Sequence, residues 1–184
     1  MRDGSRADEV DRLIAAWRRE RPDLDVAPMQ VLSRVSRLAR HLNRQRSAAF
    51  AAHALETWEF DVLAALRRAG VPYQLSPGQL LRETMVTSGT MTNRVDRLEA
   101  RGLVARDDHP EDRRAVLVRL TRTGLTTVDQ ALSDLLRAEE QILGQLPSAQ
   151  QIQVAQSLRL LLLPYEDQPV GLSEPGDDEA SVAD

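Results

Sequence analysis

The sequence predicts a mainly α fold, α+β only by one small β-hairpin, and three observations carry that prediction. Apolar residues recur at three- and four-residue spacing through most of the 184 positions, the period of amphipathic helices. Serine, threonine or proline opens several of these runs, and glycine or proline closes them. One stretch breaks the helical period. In DDHPEDRRAVLVRLT, at 107–121, four acids and two arginines surround His109-Pro110 before a patterned apolar run.

Composition narrows the class further. Hydrophobic residues make up 42% and aromatics only 3%, a balance suited to helices packed through Leu, Val and Ala in one domain of ordinary size. Zero cysteines exclude disulfides and thiolate metal sites. No apolar run approaches the roughly 18 residues of a membrane span. MRDGSRADEVDR lacks the apolar segment of a signal peptide, so a cytoplasmic location is expected. The net charge of −4 hides an asymmetry. Residues 165–184 hold seven acids and no base, which leaves 21 acids against 24 bases, a net +3, over residues 1–164. All 24 bases are arginine, whose planar fork suits phosphate and carboxylate. The acidic tail, 165–184, is expected to be disordered and solvated.

The elements follow in order. Ser5 and Asp8 resemble a capping box before Val10, Leu13, Ile14 and Trp17, a first helix that should stop near Pro22. Pro28 opens a longer helix with Leu32, Val35, Leu38, Ala39 and Leu42 on one face. Thr57 is the expected cap of a third helix, 58–69, closed by Gly70. A short loop, VPYQL, leads to Ser76-Pro77 and a fourth helix, 77–84. A fifth runs from Ser88 to Arg101 and ends at Gly102. On it Met91, Val95 and Leu98 share the packing side, while Thr90, Arg94, Arg97 and Arg101 share the other.

The opening stretch then has a place. Leu103 to Arg106 reads as one strand, and Val116, Val118 and Leu120 alternate along its return. The loop Asp107–Arg114 between them carries Arg113 and Arg114 at its tip. Two helices with a tight turn, then a basic-tipped hairpin, make a winged helix-turn-helix. The wing is held out to reach the DNA backbone or minor groove beside the helix. A long helix from Thr121 to about Leu146 follows, then a last one with a capping box at Ser148–Gln151 and a stop at Pro164. The four leucines at 160–163 cannot all face one small core. With the N-terminal helices they suggest a second apolar surface, most simply a homodimer interface. The expected organisation is 1–56 for dimerisation, 57–121 for DNA, 122–164 for dimerisation, and the tail.

LLRETMVTSGTMTNRVDRLEARGLV followed by DDHPEDRRAVLVRLT resembles the multiple-antibiotic-resistance regulator (MarR) family. Its wing pattern is matched by Asp112, Arg114, Leu120 and Thr121. The resemblance covers about residues 5–164. It implies a homodimer on pseudo-palindromic double-stranded DNA, released by a small molecule, and adds a ligand pocket to residues 1–56. It also implies that Ser88, Thr90, Thr92, Asn93 and Arg97 face the major groove, with Arg114 at the wing tip and Arg113 at a more variable wing position. Arg97 could instead be a solvated helix arginine.

A finer resemblance concerns the effector. The urate-responsive, PecS/HucR-like branch has a first-helix Trp, an Asp in the third helix, an Arg on the recognition helix and an Arg in the first wing strand. Trp17, Asp61, Arg94 and Arg106 match these positions. Urate is a flat anion that two arginine forks can chelate and an indole can cover. Asp61, the only charge in FDVLAAL, is expected in an apolar setting, where an unpaired carboxylate is costly. Trp17 could instead be a packing residue, Arg94 and Arg106 phosphate contacts, and Asp61 a structural partner of either. No enzyme is expected: His41, His53 and His109 are scattered, without general-base or metal-ligand spacing. No cofactor beyond the small anionic purine effector is expected. The alternatives are a regulator of the same fold that senses phenolic or aromatic compounds, and a ligand-independent winged-helix interaction protein.

Overall fold

The computed structural model describes residues 7–84, 87–108 and 116–166. In chain order the elements are α1 (Glu9–Glu20), α2 (Met29–Ala51), α3 (Thr57–Arg68), β1 (Gln74–Leu75), α4 (Pro77–Thr84), α5 (Ser88–Ala100), β2 (Val104–Asp108), β3 (Val116–Leu120), α6 (Arg122–Leu143) and α7 (Ser148–Glu166). The architecture is mainly α with a three-stranded antiparallel sheet of order β1-β3-β2. No helix among the described residues is long and apolar enough to cross a membrane.

The core lies where α3, α5 and α6 meet the sheet. Val62, Leu63 and Leu66 of α3, Met91, Val95 and Leu98 of α5, and Val128 and Ala131 of α6 are buried with Val104 and Val118. Phe50 stacks on Phe60 at a centroid distance of 4.0 Å, joining α2 to α3. The packing side expected for α5 is thus the observed one.

Two tight junctions set the wing against α5. Gly102 takes φ +67°, and Leu103 N–H donates to Leu98 O at 3.0 Å while Gly102 N–H donates to Glu99 O at 2.8 Å, a Schellman closure that turns the chain into β2. Thr121 then caps α6 by accepting from Gly124 N–H at 3.0 Å, and its hydroxyl donates to Gly102 O at 2.8 Å.

Several local expectations are corrected. The cap of α1 is Asp8, not Ser5, which lies outside the described residues. Asp8 accepts from Asp11 N–H at 2.9 Å and from Arg34 at 2.8 Å, partners that a carboxylate at a helix N-terminus can serve together. The α3 helix begins at Thr57 itself with Glu56 as cap. The loop VPYQL contains β1, a two-residue strand that exists only because β3 offers an edge to Gln74 and Leu75. In the wing, Asp107 and Asp108 belong to β2 and pair with Leu117 and Val116; Arg119 holds the Asp107 carboxylate at 2.5 Å. The α6 helix ends at Leu143. No capping box forms at Ser148: Gln151 instead donates to Leu143 O and Leu146 O, each at 3.0 Å, satisfying carbonyls left over at the end of α6. Pro164 does not stop α7, which runs two residues further to Glu166. A proline there removes a single backbone bond near an end that is fraying anyway. The tail from 167 onward lies outside the described residues.

The second apolar surface is present. Leu160, Leu161, Leu162 and Leu163 are all exposed, as are Leu32, Val35 and Leu38 on α2. A groove of about 640 Å³ between α2 and α7 is lined by Val31, Val35, Leu38, Val154, Leu158 and Leu161.

Candidate nucleic-acid interface and effector site

Helix α5 is buried on one side and polar on the other. Ser88, Thr90, Thr92, Asn93 and Arg97 are exposed, and Arg94 is half-buried. The Thr92 hydroxyl folds back to Ser88 O at 3.3 Å, and Thr87 and Thr90 share a hydroxyl contact at 2.9 Å. Arg113 and Arg114, the expected wing-tip cations, lie outside the described residues.

The arginines of α5 are not the free solvated row that helical spacing alone suggests. Arg97 donates to Glu56 Oε1 at 2.6 Å and lies 4.7 Å from the Trp58 ring centroid. Arg94 lies 5.3 Å from the same ring. The Trp58 indole N–H donates to the other Glu56 oxygen at 2.8 Å. The indole, and then Arg97, hold the Glu56 carboxyl below its ordinary range. Arg101 reaches Glu59 at 2.5 Å and Ala54 O at 2.7 Å. Glu59 is the one buried charged side chain among the described residues, and it also accepts from Glu56 N–H at 2.9 Å. An ion buried this deeply persists only when paired and hydrogen-bonded. The N-terminal turn of α3 therefore clamps the C-terminal half of α5.

Arg106 makes a second clamp. Its guanidinium bonds Asp96 and Glu99 of α5, and its backbone N–H donates to Glu99 at 3.2 Å. The Asp96 contact first, and then Glu99, raise the Arg106 pKa above its ordinary value. The wing strand is thereby strapped to the helix it flanks.

The four effector positions are dispersed in the single chain. Trp17 is 43% exposed on α1. Asp61 is not in an apolar setting: its side chain is 44% exposed and pairs with Arg46 of α2 at 3.5 Å. Successive helical residues point about 100° apart, so Phe60, Val62 and Leu63 take the core and Asp61 turns outward. It lines a cavity of about 500 Å³ with Arg46, Arg68 and Leu132, between α2, α3 and α6. Arg94 lines a different cavity of about 470 Å³ with Trp58, Thr90, Asn93 and Arg97. No hydrogen bond or ion pair joins any two of the four among the described residues. Trp58 and Arg46 are the neighbours that sequence reasoning missed. Trp58 was within reach, since it stands three residues before Asp61 and so on the same face of α3.

Comparison with known proteins agrees with this geometry. The MarR family model matches residues 55–115, from the approach to α3 through β2 and up to the start of β3. The chain is 39% identical over 136 residues to the transcriptional regulator PecS of Dickeya dadantii, covering 74% of this chain and 82% of PecS. It is 31% identical to the repressor NicR of Pseudomonas putida, covering 76% of this chain and 89% of NicR. The solved structure of Bordetella bronchiseptica BpsR, whose DNA binding is regulated by 6-hydroxynicotinic acid, superposes with a TM-score of 0.55 at 28% identity, covering 73% of this chain and 94% of that one. With a buried-and-polar recognition helix beside a wing, and relatives that share most of its length, this chain belongs to the MarR family of DNA-binding transcriptional regulators, which are not enzymes.

Proposed function

We propose that the protein is a repressor that binds a pseudo-palindromic operator as a homodimer and is released by urate or a related flat, anionic purine. The observation that supports this reading best is the exposed polar face of α5 beside the β2–β3 wing. Ser88, Thr90, Thr92, Asn93 and Arg97 read the major groove, and Arg113 and Arg114 reach the backbone. Paired through α2 and α7, two such helices enter successive major grooves about one turn apart.

For the effector, the Arg106 clamp supplies a physical route. An anion that takes the Arg106 fork competes with Asp96 and Glu99, so binding unstraps the wing from α5. Arg94 offers a second fork on the Trp58 ring, and Trp17 a flat apolar cover from α1. Asp61 faces a separate cavity in the single chain; the role the resemblance implies for it is a repulsion that displaces α3 against α5 when the bound anion draws near. The regulation of BpsR by a heteroaromatic acid and the resemblance to the urate-responsive branch favour this class of ligand over neutral phenols.

The DNA half is tested by substitution at the wing and helix. Arg114→Ala is expected to weaken binding across all sequences and flatten the salt dependence by about 0.9 per lost phosphate contact. Asn93→Ala is expected to change sequence preference instead. Fluorescence anisotropy on duplexes over a salt series reads both. Arg114→Ala with unaltered affinity at moderate salt contradicts the wing assignment.

A further inference from the structure

The Arg97 guanidinium is already engaged on the face it would offer DNA. Glu56 Oε1 accepts from it at 2.6 Å, the Trp58 ring lies beneath it at 4.7 Å, and the indole N–H orients the carboxylate through Oε2 at 2.8 Å. The three groups close a triangle. Glu56 is not a loose surface acid, because its backbone N–H is held by the buried Glu59, itself bound by Arg101. Yet the Arg97 and Glu56 side chains are 52% and 58% exposed, so a second anion can approach. A carboxylate, a DNA phosphate and the acceptor edge of guanine all present paired oxygens or nitrogens to the same guanidinium fork.

We propose that Glu56 is a built-in competitor for DNA: it holds Arg97 on Trp58, and an operator acceptor that takes the bonded edge of the guanidinium displaces that carboxylate. Glu56 is then a positioning residue that lowers the affinity of the whole reading face. The damping has a use in a releasable regulator, because weaker DNA binding lets a modest ligand effect empty the site. This inference rests on Arg97 facing DNA as set out above.

The test uses full-length protein and a duplex that the wild type selects from a random 20-base-pair library. Glu56→Gln removes the charge but keeps an acceptor for the indole. It is expected to tighten binding by about two- to fivefold per recognition helix, the scale of an exposed ion pair. Salt dependence is expected to steepen by up to about 0.9 per helix, since Arg97 then neutralises phosphate without re-exposing a carboxylate. Glu56→Ser, a good helix cap without charge, should give the same gain, and thermal melting confirms that both variants fold. In an Arg97→Ala background neither substitution should tighten binding. Unchanged or weaker binding by both folded Glu56 variants, or a gain that survives Arg97→Ala, overturns the proposal. Arg97→Ala that leaves affinity intact also overturns it by removing Arg97 from the DNA face. Failure of the wild type to select any duplex sinks the regulator reading itself.

Discussion

Gly124→Ala is expected to destabilise the fold by about 3 kcal/mol or more, the upper end of overpacking effects. A Cβ at Gly124 would stand 2.0 Å from Leu103 O and 2.9 Å from Leu103 C. These are backbone atoms and have little freedom. Leu103 O accepts from Thr121 N–H at 3.1 Å, and Thr121 is tied to Gly102 O as well. Relief therefore requires α6 to lift from the wing, and α6 carries Val128, Ala131 and Leu135 into the core. At this chain length the loss corresponds to a fall in Tm of roughly 6–12 °C. Gly78→Ala is the matched control: nothing lies within 4 Å of its added Cβ, and within α4 alanine is favoured over glycine by up to about 1 kcal/mol. Urea denaturation should give opposite signs for the two. Equal stability of Gly124→Ala and wild type would contradict the described junction between wing and α6.

Leu161→Arg is expected to abolish the dimer and most DNA binding together. The groove between α2 and α7 exposes Val31, Leu38 and Leu161 to solvent, and with the leucines at 160–163 it forms an apolar patch of a kind that monomers seldom leave uncovered. A second copy of this chain is the proposed cover. An arginine placed in its middle buries an unpaired charge at the interface. Each half-site contact then acts alone, and the avidity of two linked reading helices, about 100-fold or more, is lost. Light scattering should report a monomer at micromolar concentration, and anisotropy a matching loss of affinity. A variant that stays dimeric with undiminished DNA binding removes α7 from the interface.

What the sequence revealed and what it concealed divide by the range of the interactions. The buried side of α5 and the glycine at 102 follow from patterns a few residues long, and the alternation of the β3 strand is local as well, so periodicity displays them. The clamps do not. Glu56 and Arg97 are 41 residues apart, and Arg101 and Glu59 are 42 apart, so no local pattern pairs them. The two-residue strand β1 exists only through β3. Asp61 was misplaced for a different reason. An isolated charge in an apolar heptad looks buried on a linear reading, yet helical rotation carries it out to Arg46. Carrying over Trp17, Asp61, Arg94 and Arg106 by resemblance did not foresee that Arg106 straps the wing to α5, nor that no hydrogen bond or ion pair joins the four among the described residues.

The measurement that tests the central claim most directly is the ratio of DNA affinity without and with saturating urate, taken on wild type, Arg106→Ala and Asp61→Asn. For the wild type the ratio should be large, because moving a site from mostly bound to mostly free requires a ligand preference of a few kcal/mol, within reach of two charge-assisted arginine contacts at roughly 1.5–3 kcal/mol each. Arg106→Ala should bind DNA with an affinity shifted toward that of the urate-bound wild type, and its ratio should fall close to one. Asp61→Asn should still bind urate by calorimetry while its ratio falls, because the repulsion that transmits binding is gone. A wild type whose DNA affinity ignores urate, or the wild-type ratio persisting in both variants, would contradict the account of an anion-released regulator built on Arg106.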